Sequence, residues 1–312
     1  MYDSMMLVNI GESEFEIGGN DLGMLRESND LLGDFDALRE RFSEDGYLLI
    51  RGLQRSETVL SARQAFLEHL NELGCVDSTA PFLDGAINTS RGPRGGFSSQ
   101  SGANLVVDAT TEPGTSAPTD DGSSLAYSPR ITDMVESPEI IEFFERFLGG
   151  EVLPFKHRWL RVAGTGPSTA MHFDFMYMGK GTENVFTVWC PVGDTPLELG
   201  GLALCVGSDQ SGELKAAYGK LDAYEDGEQL KGLYERSPKE FAKRYESKWH
   251  IADYEVGDVL IFGMYMLHAP LQNRTDRFRL STDTRYQLAS EPVDERWFSD
   301  WHLQRTFIGG DA

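Results

Sequence analysis

Cysteine is scarce in this chain: three occur in 312 residues, at Cys75, Cys190 and Cys205, an odd number with no CxxC pair. That excludes a disulfide framework or a zinc ribbon and suits a reducing cytoplasm. Positive charge is scarce as well. Lys and Arg total 28 against 50 Asp and Glu, a formal charge of -22. Nucleic acid and anionic membrane surfaces both need a cationic face, so neither is an expected partner. The same field mildly opposes a polyanionic substrate, although a solubility or salt adaptation unrelated to substrate is the favoured reading of the charge. Long apolar runs are missing too. The most apolar stretch, residues 259–267, contains Gly263 and falls far short of a bilayer span. The opening Met-Tyr-Asp-Ser-Met-Met has neither a basic cluster nor an apolar run, so no signal peptide is expected. There is no internal repeat and no P-loop.

What is present is a globular composition, 40% hydrophobic and 25% charged. The first thirty residues lack periodicity and read as a loose arm. Apolar residues three to four apart predict helices over 35–42, 56–73 and 140–148, and the apolar run 47–53 predicts a strand. Residues 81–128 are rich in Gly, Ser, Thr, Pro and Asp with no sustained period, which reads as a lid or a disordered loop. From 151 onward β-branched and aromatic residues predict strands over 151–163, 169–178, 185–192, 201–206, 249–256, 258–268 and 278–288. A helical insert, 213–244, divides them. Helices followed by seven or more strands predict a mainly β fold with flanking helices, as one domain over 1–312. Within it 1–150 is the flank and 151–290 the core.

The chemistry-bearing pattern is His172-Phe173-Asp174, followed by His268 and then Arg279. On a strand, residues two apart share a face, so His172 and Asp174 would chelate together while Phe173 packs away. Two His and one carboxylate on one side of a metal, with the other side open, is the ligand set of mononuclear non-haem iron oxygenases. HxD alone is a weak motif, equally compatible with a polar surface pair. The apolar segment ending at His268 strengthens it. Ala269-Pro270 breaks that segment, Asn273-Arg274-Thr275-Asp276 supplies a turn, and an alternating strand returns. A turn centred near 274–275 would set Arg279 opposite Pro270, diagonal to His268. Alternation puts Arg279, Ser281 and Asp283 on one face. A buried guanidinium there needs a carboxylate: either Asp283 or that of an acidic co-substrate.

The chain resembles the phytanoyl-CoA dioxygenase family of Fe(II)/2-oxoglutarate oxygenases. The resemblance begins at residues 42–53 and is strongest over 156–287, through the segments 156–162, 172–174, 187–194, 200–208, 257–268 and 279–287. It implies a double-stranded β-helix (a cupin-like jelly roll). His172, Asp174 and His268 match the iron ligands, Arg279 matches the 2-oxoglutarate arginine with Ser281 adding a hydrogen bond, and Trp189 matches a tryptophan near the co-substrate. Two positions depart from the family pattern: Asp209 stands where histidine is common, and Pro270 where a hydroxyl donor often sits. The implied activity is hydroxylation of a C–H bond in a small molecule, with 2-oxoglutarate and O2 converted to succinate and CO2. Asp174 argues against a halogenase, which needs the carboxylate position vacated. A metal-binding β-barrel without turnover, and a cupin-like metalloenzyme that does not use 2-oxoglutarate, are the alternatives. The sequence leaves the substrate and the oligomeric state open.

Overall fold

Alternation along the last strand organises the molecule. Strand β13 (Arg279–Leu288) is buried on both faces, with Arg279, Ser281, Asp283 and Arg285 on one side and Leu280, Thr282, Thr284 and Tyr286 on the other. It lies within a seven-stranded sheet in the computed structural model, which describes residues 7–89, 104–107, 125–166, 170–226 and 237–298. The order is β4 (Tyr47–Ile50), β11 (Val259–Gly263), β8 (Phe186–Pro191), β13, β7 (Trp159–Ala163) and β5 (Asn104–Val107), with β6 (Val152–Pro154) also pairing β13. A second sheet of four strands runs β12 (His268–Pro270), β9 (Leu202–Val206), β10 (Lys248–Ile251) and β3 (Leu22–Met24). The two sheets face each other, the jelly-roll arrangement.

Three apolar layers follow from strand parity. Between the sheets, Tyr47, Leu49, Trp189, Leu260 and Phe262 of the large sheet meet Leu202 and Leu204 of the small one. Outside the large sheet, Leu48, Ile50, Val188, Ile261 and Leu280 pack on helices α2 (Ser56–Glu72), α3 (Pro129–Val135) and α4 (Pro138–Leu148). These helices present Phe66, Met134 and Phe144 to that layer. Helix α1 (Phe35–Asp45) ends at Gly46, whose φ of 76° is the left-handed conformation that favours glycine. Outside the small sheet, Ala203, Cys205, Trp249 and Ile251 are covered by the hairpin β1 (Leu7–Ile10) and β2 (Ser13–Glu16) and by a helix over Pro238–Arg244.

Several expectations are revised. Residues 7–24 are no loose arm: they form a hairpin and a strand of the small sheet. The strand expected over 169–178 is not formed over its described residues, 170–178. His172 makes a single bridge to His268, and Phe175–Met178 turns as a short helix. Residues 258–268 are not continuous either. A turn closed by Met266 N–H donating to the Gly263 carbonyl at 3.0 Å sends β11 and β12 into different sheets. Of the expected lid, Phe82–Asp84 is a 3-10 turn and β5 joins the edge of the large sheet, while 90–103 and 108–124 lie outside the described residues. The insert holds helices Gly212–Tyr218 and Pro238–Arg244, and 227–236 lies outside the described residues.

Candidate metal centre

The small sheet supplies two imidazoles at its edge. His172 and His268 form a backbone bridge, each N–H donating to the other's carbonyl at 3.1 Å, which holds their ring centroids 4.3 Å apart. Each Nδ1 is tied to a backbone carbonyl, His172 to Ala170 at 3.2 Å and His268 to Met266 at 3.0 Å. That fixes the tautomer: Nδ1 carries the hydrogen and the Nε2 lone pair is free to bind a metal. Asp174 occupies the N-cap position of the helical turn Phe175–Met178 that follows. Its Oδ1 is 3.9 Å from both Nε2 atoms. All three donor atoms lie within 4.8 Å of one another, the one such group of His, Cys, Asp or Glu among the described residues.

The large sheet holds Asp174 from the opposite side. Arg285 Nη2 donates to Oδ1 at 3.0 Å and to Oδ2 at 2.9 Å, and the Thr187 hydroxyl donates to Oδ2. Arg285 and Thr187 are cross-strand neighbours on β13 and β8. The Arg285 guanidinium lies over the Trp159 ring at 4.1 Å, a cation–π contact. Neither Arg285 nor Thr187 was singled out from sequence. The signal was present: Arg285 continues the parity of Arg279, Ser281 and Asp283.

Charge states follow from these surroundings. Burial pushes His172 down to about 3, and the adjacent His268 adds to that. Burial likewise holds His268 below its ordinary value. For Asp174 burial alone would raise the carboxyl, but Arg285 first, then the two imidazoles and Thr187, keep it well below the usual range. At neutral pH the set is therefore two neutral imidazoles and one carboxylate, the protonation a divalent metal needs.

Arg279 lies further along the same inner face. It does not sit diagonally across from His268 as the turn suggested. The two belong to different sheets, and Arg279 is paired with Ala163 of β7. The expected neighbour Ser281 is there, its Oγ accepting from Nη1 at 2.8 Å. Asp283 is not in contact with Arg279 and is instead bound by Arg161, at 2.9 Å from Nε and 2.8 Å from Nη2. Arg279 is 3% exposed, its Nε has no partner, and no carboxylate of the described residues lies within ion-pair distance. Burial pulls it down to about 10, with Asp283 opposing, so it remains a cation. A buried guanidinium without a counter-ion fits a site for an incoming carboxylate. Trp189 sits on the inner face opposite Asp283, its ring 4.7 Å from that of Tyr254, inside the apolar layer.

The family model for phytanoyl-CoA dioxygenase (PhyH) matches residues 42–281. This chain belongs to that family. It is accordingly an Fe(II)- and 2-oxoglutarate-dependent oxygenase that uses O2. A 1-deoxypentalenic acid 11-beta-hydroxylase of Streptomyces exfoliatus is 28% identical over 270 residues, 83% of each chain. Its counterpart from Streptomyces arenae is 26% identical over 270 residues. Among solved structures, the non-haem alpha-ketoglutarate-dependent carbocyclase SnoK from nogalamycin biosynthesis superposes with a TM-score of 0.56 at 16% identity, over 90% of this chain and 94% of that one. EctD from S. alaskensis, in its apoform, gives 0.54 at 14% identity, over 94% of this chain and 87% of that one. These likenesses carry the fold. No helix among the described residues is long and apolar enough to cross a membrane.

Proposed function

We propose that His172, Asp174 and His268 hold the iron and that Arg279, with Ser281, takes the distal carboxylate of 2-oxoglutarate. The observation that carries this is the convergence of two Nε2 atoms on one Asp174 oxygen, with both Nδ1 atoms already engaged by carbonyls. The chain's own part is to orient and shield. The His172–His268 bridge fixes the two imidazoles. Arg285 and Thr187 fix the carboxylate. Arg279 supplies a charge that only a carboxylate entering between the sheets can match. When bound, Fe(II) with 2-oxoglutarate and O2 supplies oxidising power for a C–H bond, releasing succinate and CO2. The retained carboxylate at Asp174 favours hydroxylation over halogenation.

The substrate in this reading is a small molecule with an apolar body. The two hydroxylase relatives act, by their names, on a small carboxylic acid. The net charge of -22 argues against a polyanionic CoA ester. Trp189 would act on the co-substrate through packing, as a wall of the apolar layer. We read the chain as one oxygenase domain, because the flank contributes β3 and β4 to the two sheets. A cytoplasmic setting is supported by three buried cysteines that form no disulfide. The test is succinate formation under air with Fe(II) and 2-oxoglutarate. Fe(II)-dependent succinate is expected even without substrate. Iron binding with no succinate would overturn the reading.

A further inference from the structure

We propose that Arg285 and Thr187 are positioning residues that restrict Asp174 to one-oxygen ligation, keeping metal positions open for the co-substrate. This rests on the assignment of His172, Asp174 and His268 to the iron. The two oxygens of Asp174 are not equivalent. Oδ1 faces both imidazoles, at 3.9 Å from each Nε2. Oδ1 accepts from Arg285 alone, at 3.0 Å, whereas Oδ2 accepts from both Arg285, at 2.9 Å, and the Thr187 hydroxyl. A carboxylate oxygen that already accepts two hydrogen bonds, one from a cation, is a poor further donor to a metal.

The clamp is itself held rigid. Arg285 is 1% exposed, its Nη1 donates to the Asp283 carbonyl at 3.3 Å, and its guanidinium lies 4.1 Å above the Trp159 ring. Thr187 is 1% exposed on the neighbouring strand, in register with Arg285. Neither can swing aside to release Oδ2 without emptying a packed site.

Two consequences follow, of opposite sign. A carboxylate that binds through both oxygens grips a metal more firmly but occupies a position that chelating 2-oxoglutarate needs. Arg285 also offsets the Asp174 charge, so the metal presents its full double charge to the 2-oxoglutarate dianion. Loosening the clamp should strengthen or preserve metal binding while weakening 2-oxoglutarate. A merely structural role would weaken both together.

The test measures Fe(II) affinity and, anaerobically, 2-oxoglutarate affinity from the visible charge-transfer band of the Fe(II) complex. The proteins are wild type, Arg285→Met, Arg285→Lys and Thr187→Val. In Arg285→Met, Fe(II) should bind at least as tightly while 2-oxoglutarate weakens about tenfold or more. Arg285→Lys should recover part of that loss. Thr187→Val should show the same split, about threefold in 2-oxoglutarate. It decides alone if Arg285→Met does not fold. Parallel weakening of both ligands, or 2-oxoglutarate affinity unchanged, overturns the clamp. A wild type that binds Fe(II) yet gives no band with 2-oxoglutarate overturns the functional reading beneath it.

Discussion

The two faces of β13 differ in kind although both are buried. The outward row, Leu280, Thr282, Thr284 and Tyr286, seals the sheet against helices, and Tyr286 stacks on Phe144 with centroids 4.8 Å apart. The inward row, Arg279, Ser281, Asp283 and Arg285, is charged or polar at 8% exposure or less. A strand covered on both sides ordinarily reads as continuous apolar sequence, because desolvating a charge is costly. The inner row is retained against that cost: Arg285 meets Asp174, Asp283 meets Arg161, and Arg279 bonds Ser281. Outer-face residues should therefore govern stability, and inner-face residues should govern binding.

The largest expected effect is on the inner side. His268→Gln removes an Nε2 donor. Fe(II)-dependent succinate formation should fall by well beyond the roughly 100-fold typical of residues that merely support a metal ligand. Its melting temperature should stay near wild type. Phe144→Ala, on the helix that covers the outer face, should do the reverse, losing about 3–5 kcal/mol by denaturant unfolding, with 2-oxoglutarate affinity of the folded enzyme unchanged. Loss of co-substrate affinity in that variant would break the division between the faces.

Arg279→Met should raise the KM for 2-oxoglutarate about 100-fold, equivalent to about 2.7 kcal/mol, the scale of a hydrogen bond to a charged group. Stability should be unchanged or higher, since the variant removes a buried cation that lacks a carboxylate in contact. A variant that unfolds with KM intact would assign Arg279 to structure.

Acid should separate the faces more gently. His172 and His268 are neutral in the folded protein below the pH at which unfolded histidine gains its proton. The unfolded chain then binds more protons, so stability is complete above about pH 6.5 and declines as pH falls toward 3. Urea midpoints of the metal-free protein should drop across that window. In a His172→Gln variant the drop should be shallower. An identical slope would contradict the depressed histidine.

The comparison also accounts for what was legible in the sequence. Parity put Arg279, Ser281 and Asp283 on one face because β13 alternates, and the same parity extends to Arg285. Arg285 was missed because nothing in the sequence shows that the Asp174 carboxylate faces it across the barrel. The break between β11 and β12 was hidden. Residues 259–262 are buried on both faces, so the period of two carries no signal, and nothing local marks the turn at 263–266 beyond Gly263. His172 and Asp174 do converge, but through a bridge and a helical turn rather than strand alternation. The spacing pointed to a pair that converges, but by a different local geometry. The hairpin over residues 7–16 escaped notice because four-residue strands are too short to show periodicity.

The smallest expected effect concerns Trp189, which lies on the inner face yet packs in the apolar layer. Trp189→Phe should change the KM for 2-oxoglutarate by less than about threefold while lowering stability by about 1–3 kcal/mol. A larger KM effect would move Trp189 from the wall of the site into contact with the co-substrate.

The central claim is that one inner face, shared by two sheets, forms a single iron and 2-oxoglutarate site. Anaerobic titration of the Fe(II)-loaded protein with 2-oxoglutarate tests it most directly. A saturable visible band at one equivalent, abolished in His268→Gln and shifted to much higher concentration in Arg279→Met, is the predicted result. A band that survives His268→Gln, or that ignores Arg279→Met, would contradict it.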